Sequence, residues 1–171
     1  MNIRRATVAD IAAIRRMADK AFRHTYRDIL TPGQMEYMME WMYSVESLQR
    51  QMTVEGHMYD ILTTDTDGDV GYVAYNRESA EADGSVLFHL QKIYVLPEHQ
   101  GKGLGAVLLE RAETMMRQLA DGHPARFELN VNRNNSAVTF YERMGLHKDR
   151  EGDFDIGDGY YMNDYIMAKD L

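Results

Sequence analysis

The chain has 171 residues, the size of one ordinary domain of roughly 100–200 residues. It carries 19 lysine and arginine residues against 27 aspartate and glutamate residues, a formal charge of −8 that would repel a phosphate backbone. Cysteine is absent, which excludes disulfides, zinc–thiolate sites, iron–sulfur clusters and thiolate catalysis. We therefore expect a single domain over residues 1–171 that does not bind nucleic acid.

The N-terminal segment, Met1–Thr7, meets charge almost at once and leads to no apolar stretch of the secretory type. No apolar run approaches the ~20 residues that a membrane span needs. The six histidines show no metal-ligand spacing. We therefore expect a cytoplasmic protein with no membrane association and no metal site.

The first third of the chain has mainly helical periodicity. A short strand at Asn2–Ala6 precedes a helix that Asp10 is expected to cap, with apolar residues at helical spacing at Ile11, Ile14, Met17, Ala18, Ala21 and Phe22. A second helix is predicted to begin at Pro32, a residue suited to the first helical position. A third helix is expected after Ser44.

The remainder of the chain mixes strands with two helices. The predicted strands are Tyr59–Thr64, Val70–Arg77, Val86–Val95, Arg126–Val131, Leu146–Arg150 and Tyr160–Lys169. A long helix is predicted from Leu104, and a short one over Ser136–Met144 that ends at Gly145. The order of elements predicts the α/β class, with a mixed sheet of about seven strands and helices on its faces.

Glycines occupy positions 101, 103 and 105, between a predicted strand and a predicted helix. Glycine lets the backbone approach a ligand closely, and the free N–H groups of a helix N-terminus attract phosphate. Lys102 adds a positive charge at the rim of this loop. The loop therefore predicts a phosphate or pyrophosphate site, although Gly101–Ala106 also matches the G-x-G-x-x-A dinucleotide fingerprint.

Two motifs carry a resemblance to a known family. Gln100-x-x-Gly103-x-Gly105 and the later Asn134-x-x-Ala137-x-x-x-Tyr141-x-x-x-Gly145-Leu146 resemble the two cofactor segments of the Gcn5-related N-acetyltransferases, the GNAT superfamily. The resemblance implies the GNAT fold, a mostly antiparallel sheet of about seven strands with four or five helices. It also implies acetyl-CoA as the acetyl donor.

A narrower resemblance concerns the two ends of the chain. Phe22-x-x-Thr25-Tyr26 and the closing Asp164-Tyr-Ile-Met-Ala-Lys are similar to segments of the bacterial spermidine/spermine-type acetyltransferases. This resemblance implies a polyamine or another small cationic amine as the acceptor.

The family resemblance also implies roles for individual residues. The backbone of Ile93, Tyr94 and Val95 would pair with the pantetheine arm, and the Val95 N–H would face the thioester oxygen. The pyrophosphate would be held by Gln100, Gly101, Lys102, Gly103, Leu104 and Gly105. In the second segment, which includes Ala137, Asn134 would bind the pantetheine, Tyr141 would act as general acid beside the sulfur, and Arg143 would reach the 3′-phosphate.

The general base and the acceptor site have weaker signals. His89 stands where family members often carry a glutamate, and a histidine could accept a proton through water. A histidine that is merely hydrogen-bonded on the sheet is the alternative. Tyr26 and Glu36, on or near the first two helices, are expected to line the acceptor site.

Together these features predict an N-acetyltransferase that transfers acetyl directly from acetyl-CoA to a primary amine, preferably a small cationic one. The alternatives are a peptide, protein N-terminal or amino-acid acetyltransferase, a non-catalytic acyl-CoA-binding module, and a small dinucleotide-binding oxidoreductase. The expected partner is a small-molecule amine, with a homodimer left open. The acidic residues between Asp149 and Asp158 are expected to form a solvated loop, and attraction of a polyamine is the alternative role.

Overall fold

Seven strands and five helices make up the computed structural model, which describes residues 1–171. The strands are β1 (Asn2–Arg5), β2 (Met58–Thr64), β3 (Gly68–Ala80), β4 (Val86–Val95), β5 (Ala125–Asn132), β6 (His147–Gly157) and β7 (Tyr160–Asp170). The helices are α1 (Ile11–Tyr26), α2 (Pro32–Tyr43), α3 (Val45–Thr53), α4 (Leu104–Ala120) and α5 (Ala137–Arg143). None of these helices has the length and apolar composition that crossing a membrane requires.

The strands form one sheet in the order β1-β2-β3-β4-β5-β7-β6. Every neighbouring pair is antiparallel except β4 and β5, which are parallel. The predicted α/β class and the mostly antiparallel sheet are therefore confirmed.

Two local expectations are wrong. Asp10 makes no side-chain cap of α1, because it closes a capping box with Thr7 one turn earlier. The acidic residues from Asp149 to Asp155 lie on strand β6 rather than in a loop, and only Asp158 falls in the turn that follows. An edge strand tolerates acidic side chains on its solvent face, which hides the strand pattern in the sequence.

The sheet buries an apolar cluster on each face because successive strand residues point to opposite sides. On β3, Val73 and Tyr75 belong to the cluster under α4 and α5, whereas Tyr72 and Ala74 belong to the cluster under α1, α2 and α3. The two clusters hold 19 and 16 buried residues, so neither face of the sheet is left to solvent.

A bulge and a separation of strands define the middle of the sheet. Gln91 is an extra residue in β4, because Leu90 and Lys92 pair with consecutive residues of β3. The parallel pairing of β4 with β5 ends at His89 and Glu128. Beyond this pair the two strands run on without hydrogen bonds between them, which leaves one edge of each strand open.

Candidate active site

A cavity of about 1060 Å³ lies where β4 and β5 have parted. Its walls come from the second half of β4, the glycine loop, the start of α4, residues 129–131 of β5, and α5. The last turn of α1 and the residues after it close the remaining side. The cavity is therefore built from both predicted motif segments and from the first helix.

The end of β4 presents an unpaired backbone edge to this cavity. Leu96 N–H donates to the Val70 carbonyl oxygen on β3 at 2.8 Å, and successive N–H groups of an extended strand point to opposite edges. The N–H groups of Ile93 and Val95 consequently point toward the parted strands. The amide Nε2 of Gln100 donates to the Val95 carbonyl oxygen at 3.1 Å, which fixes the end of the strand.

The glycine loop leaves a run of backbone donors free. Gly101 and Gly103 adopt φ values of 74° and 78°, which glycine tolerates and residues with a Cβ rarely do. No backbone N–H from residue 101 through residue 106 donates a hydrogen bond within the protein, and Gly103 caps α4 without a side-chain bond. Six consecutive free donors at a helix N-terminus are the arrangement that binds phosphate oxygens.

Asparagines shape the turn between β5 and α5. Asn132 Oδ1 accepts from the Asn134 N–H at 2.9 Å, and Asn135 Oδ1 accepts from the Ala137 N–H at 2.9 Å. Asn134 belongs to the predicted motif, whereas Asn132 and Asn135, which hold the turn that presents it, were not predicted. Their signal was the repeated asparagine in 130–135, a residue favoured in turns and helix caps.

Three phenol groups, from Tyr26, Tyr94 and Tyr141, neighbour one another in the wall of the cavity. Burial raises the pKa of Tyr141, with a smaller contribution from the Tyr26 hydroxyl, so Tyr141 is a neutral hydrogen-bond donor at neutral pH. Burial likewise raises the pKa of Tyr26, whose hydroxyl lies 3.5 Å from the Asn135 amide nitrogen.

Most of the predicted site residues line this one cavity. They are Tyr26, Ile93, Tyr94, Val95, Gln100, Gly101, Gly103, Leu104, Gly105, Asn134, Ala137, Tyr141 and Arg143. Three others do not line it: Lys102 is exposed beside the loop, Glu36 forms an exposed ion pair with Arg23, and His89 lies on β4 beyond the bulge.

His89 is held in a polar cluster at the closed end of the parted strands. Its Nδ1 lies 3.6 Å from an oxygen of Glu78, and it pairs in register with Glu128. Burial lowers the pKa of His89, and the nearby carboxylates of Glu78 and Glu128 oppose that effect. The role of His89 as general base stays a prediction.

Comparison with known proteins agrees with this geometry. Residues 26–161 match the family model described as an acetyltransferase (GNAT) domain. An uncharacterised N-acetyltransferase of Mycobacterium bovis is 34% identical over 83 residues, which are 48% of this chain and 51% of the relative. The chain thus matches about half the length of this relative. The spermidine N(1)-acetyltransferase of Thermoplasma acidophilum is 25% identical over 171 residues, 99% of this chain and 96% of the relative.

Solved structures share the fold. PaiA N-acetyltransferase of Thermoplasma acidophilum, crystallised with coenzyme A, superposes with a TM-score of 0.78 at 23% identity and covers 99% of this chain and 98% of its own. The ribosomal-protein-S18-alanine N-acetyltransferase of Escherichia coli superposes with a TM-score of 0.69 at 19% identity and covers 99% of this chain and 93% of its own. The chain belongs to the GNAT acetyltransferase family.

Proposed function

We propose that this protein transfers acetyl from acetyl-CoA to the primary amino group of a small cationic amine, by direct attack of the amine. The observation that carries the proposal is the cleft between β4 and β5, with the unpaired strand edge on one side and six free N–H groups at its mouth. These features suit the two ends of acetyl-CoA, since an amide-bearing arm can pair with a strand edge and a pyrophosphate can bind a helix N-terminus.

Different residues of the cleft would bind different parts of acetyl-CoA. The N–H and carbonyl groups of Ile93 would pair with the pantetheine arm, and Asn134 would bind it from the opposite wall. The free donors of residues 101–106 would hold the pyrophosphate, with Lys102 beside them. Arg143, on the last turn of α5, would reach the 3′-phosphate.

Two groups would act on the acetyl group as it is transferred. The Val95 N–H would donate to the carbonyl oxygen as negative charge develops there, and one such donor is worth ~2.7–4 kcal/mol in comparable sites. Tyr141 would give its proton to the departing sulfur, because burial holds the phenol in its protonated form at neutral pH.

Charge and one named relative favour a small cationic amine as the acceptor. The net charge of −8 favours a cation, and a distant full-length relative is named as a spermidine acetyltransferase. The β6–β7 hairpin is fastened to α2, where Tyr37 Oη donates to the Ile156 carbonyl at 2.7 Å and Gln34 Nε2 donates to the Tyr161 carbonyl at 2.9 Å. Neither α2 nor this hairpin lines the cavity, so the preference for a small amine over an extended peptide rests on charge and on that relative.

The acidic residues of β6 contribute little to that preference. Asp149 is 3.0 Å from an Arg126 nitrogen, and Glu151 and Asp153 both face Arg133. Their charges are therefore largely compensated within the protein, and attraction of a polyamine has to come from groups inside the cleft.

The test is an acetyl-CoA turnover assay on spermidine, lysine, an aminoglycoside and a peptide that begins with alanine, each at low and at physiological salt. We expect spermidine or another small polycation to react best, with a Michaelis constant that rises with ionic strength because charge attraction is screened. Turnover of the peptide alone, without a salt effect on spermidine, would reject the small-amine proposal and favour N-terminal acetylation. Binding of acetyl-CoA without turnover of any amine would favour a non-catalytic acyl-CoA-binding module.

A further inference from the structure

Asp164 is a buried carboxylate without adequate partners. It lies on β7 with only 5% of its surface exposed, and its Oδ1 has no hydrogen-bond partner. Its Oδ2 has only a long contact of 3.4 Å from the amide nitrogen of Asn130. A buried carboxylate normally accepts several hydrogen bonds, so a missing donor at this position points to a ligand.

The other buried carboxylates in the sheet differ from Asp164 in this respect. Asp60 accepts from Arg5, Arg111 and Tyr75, and Glu128 accepts from Arg126 and Arg150. The fold thus satisfies its structural carboxylates with two or three donors each. Asp164 is the exception.

Asp164 also lies next to the cavity. Asn130 and Tyr26, which line the cavity, are its neighbours on β5 and α1. Tyr26 in turn neighbours Tyr94 and Tyr141, so Asp164 is one side chain removed from these two phenol groups of the cavity wall. The charged and titratable groups around it are Tyr26 and Arg133, and its partner on β6 is Gly152, which has no side chain.

We propose that Asp164 is the group that binds the ammonium form of the acceptor and takes its proton, an inference that rests on the proposed function. The amine loses two protons in forming the amide. The first passes to the Asp164 carboxylate and from there to solvent, which frees the nitrogen lone pair. As the C–N bond forms and the C–S bond breaks, Tyr141 gives its proton to sulfur and regains one from the nitrogen.

The raised pKa of Asp164 agrees with this role. Burial is the main cause, and the Asn130 amide and Arg133 oppose it. A carboxylate whose pKa is moved toward neutrality is a better proton acceptor at physiological pH than an ordinary one. Because the ionised form must act, activity is expected to fall as the pH drops through the raised pKa.

The experiment compares wild type and Asp164→Asn in kcat and kcat/KM for spermidine from pH 6 to pH 10. At pH 7 we expect the kcat/KM of the variant to be about 10²-fold below that of the wild type, the low end for a lost base. The difference in kcat/KM is expected to shrink as the pH rises and free amine accumulates. Ethylamine and trifluoroethylamine add a second readout, since only ethylamine is an ammonium ion at pH 7. Asp164→Asn is expected to lower kcat/KM strongly for ethylamine and only slightly for trifluoroethylamine.

Asp60→Asn is the matched control, since it makes the same substitution at a buried carboxylate that is fully partnered and does not line the cavity. We expect it to lower thermal stability without changing the pH profile. An equal loss for Asp164→Asn at every pH and with both amines would show a structural role and overturn the proposal. A raised KM with unchanged kcat and pH profile would also overturn it, since Asp164 would then bind a non-reacting ammonium. If the wild type acetylates no amine, the proposed function fails and this assignment fails with it.

Discussion

At the scale of single residues, burial sets the protonation of the groups that would carry the chemistry. Tyr141 and Asp164 both have raised pKa values, mainly because burial disfavours their charged forms. The consequence differs for the two. Tyr141 becomes a more persistent proton donor, and Asp164 becomes a stronger proton acceptor. One physical cause would therefore prepare Tyr141 as the proposed acid and Asp164 as the proposed base.

Tyr141→Phe tests the acid. The substitution keeps the ring that packs in the core and removes only the hydroxyl, so CoA affinity is expected to persist. We expect kcat to fall by about 10²-fold, the low end for loss of a general acid. Single-turnover kinetics on the best amine, together with calorimetry of CoA binding, measure the two effects separately.

Tyr43→Phe is the control for this substitution. Tyr43 is equally buried, its hydroxyl is 2.7 Å from that of Tyr72, and it does not line the cavity. Losing that hydrogen bond is expected to cost about 1 kcal/mol of stability and to leave kcat unchanged. Full turnover in Tyr141→Phe would mean that Tyr141 only packs.

At the scale of elements, the start of α4 and the open edge of β4 define the cleft. The α4 start could be predicted because glycine at three alternate positions has a direct physical meaning. The open edge could not be predicted locally, since it arises where β5 leaves β4 after Glu128. The bulge at Gln91 likewise depends on pairing with β3, and it reverses which face the following residues occupy.

Gly103→Ala tests the loop, with Gly122→Ala as a matched control at the other end of the same helix. Both glycines have φ near +80°, at 78° and 81°, and an added Cβ would meet no atom within 4 Å at either. The conformational strain is therefore expected to be similar, on the order of 1–2 kcal/mol. Only the Cβ at position 103 would stand among the free N–H groups.

We expect Gly103→Ala to weaken CoA binding at least tenfold and Gly122→Ala to leave it unchanged, as measured by calorimetry on variants of matched melting temperature. Equal CoA affinity in the two variants would contradict a phosphate role for the loop.

At the scale of the whole molecule, the order of elements and the family could be predicted, and the tertiary partners of polar residues could not. The change from helical periodicity to strands before Tyr59–Thr64 and the two motif segments were visible in the sequence. The partnerless Oδ1 of Asp164, the polar cluster around His89 and the course of β6 depend on residues far away in the chain. No local pattern encodes such contacts, so these features became apparent only in the folded chain.

The sequence predicts that Lys92 continues the alternation of Phe88 and Leu90 on one face of β4, and this prediction is wrong. The bulge at Gln91 turns Lys92 toward the cluster under α1–α3, where its Nζ is 2.5 Å from Gln51 Oε1 and 2.6 Å from Tyr59 Oη. No carboxylate lies within ion-pair distance of it. Burial lowers its pKa to about 7, with Glu55 opposing weakly. Keeping Lys92 in its ammonium form therefore lowers the stability of the folded protein, and this loss of stability is the cost of the buried charge.

The pH dependence of stability tests this cost. Between pH 7 and pH 10.5 the unfolded chain holds the Lys92 proton and the folded chain has released it, so the free energy of unfolding attributable to Lys92 rises with pH. Below pH 7 both states are protonated and the full cost is present. We expect Lys92→Met to be more stable relative to the wild type at pH 6 than at pH 10, by about 4 kcal/mol at 1.36 kcal/mol per pKa unit. Urea unfolding at pH 6 and pH 10 measures this difference in the free energy of unfolding. Lys20→Met, at an exposed lysine, is the control, because its free energy of unfolding relative to the wild type is expected to be the same at the two pH values. A Lys92→Met difference that is also independent of pH would mean that Lys92 stays charged in the folded protein.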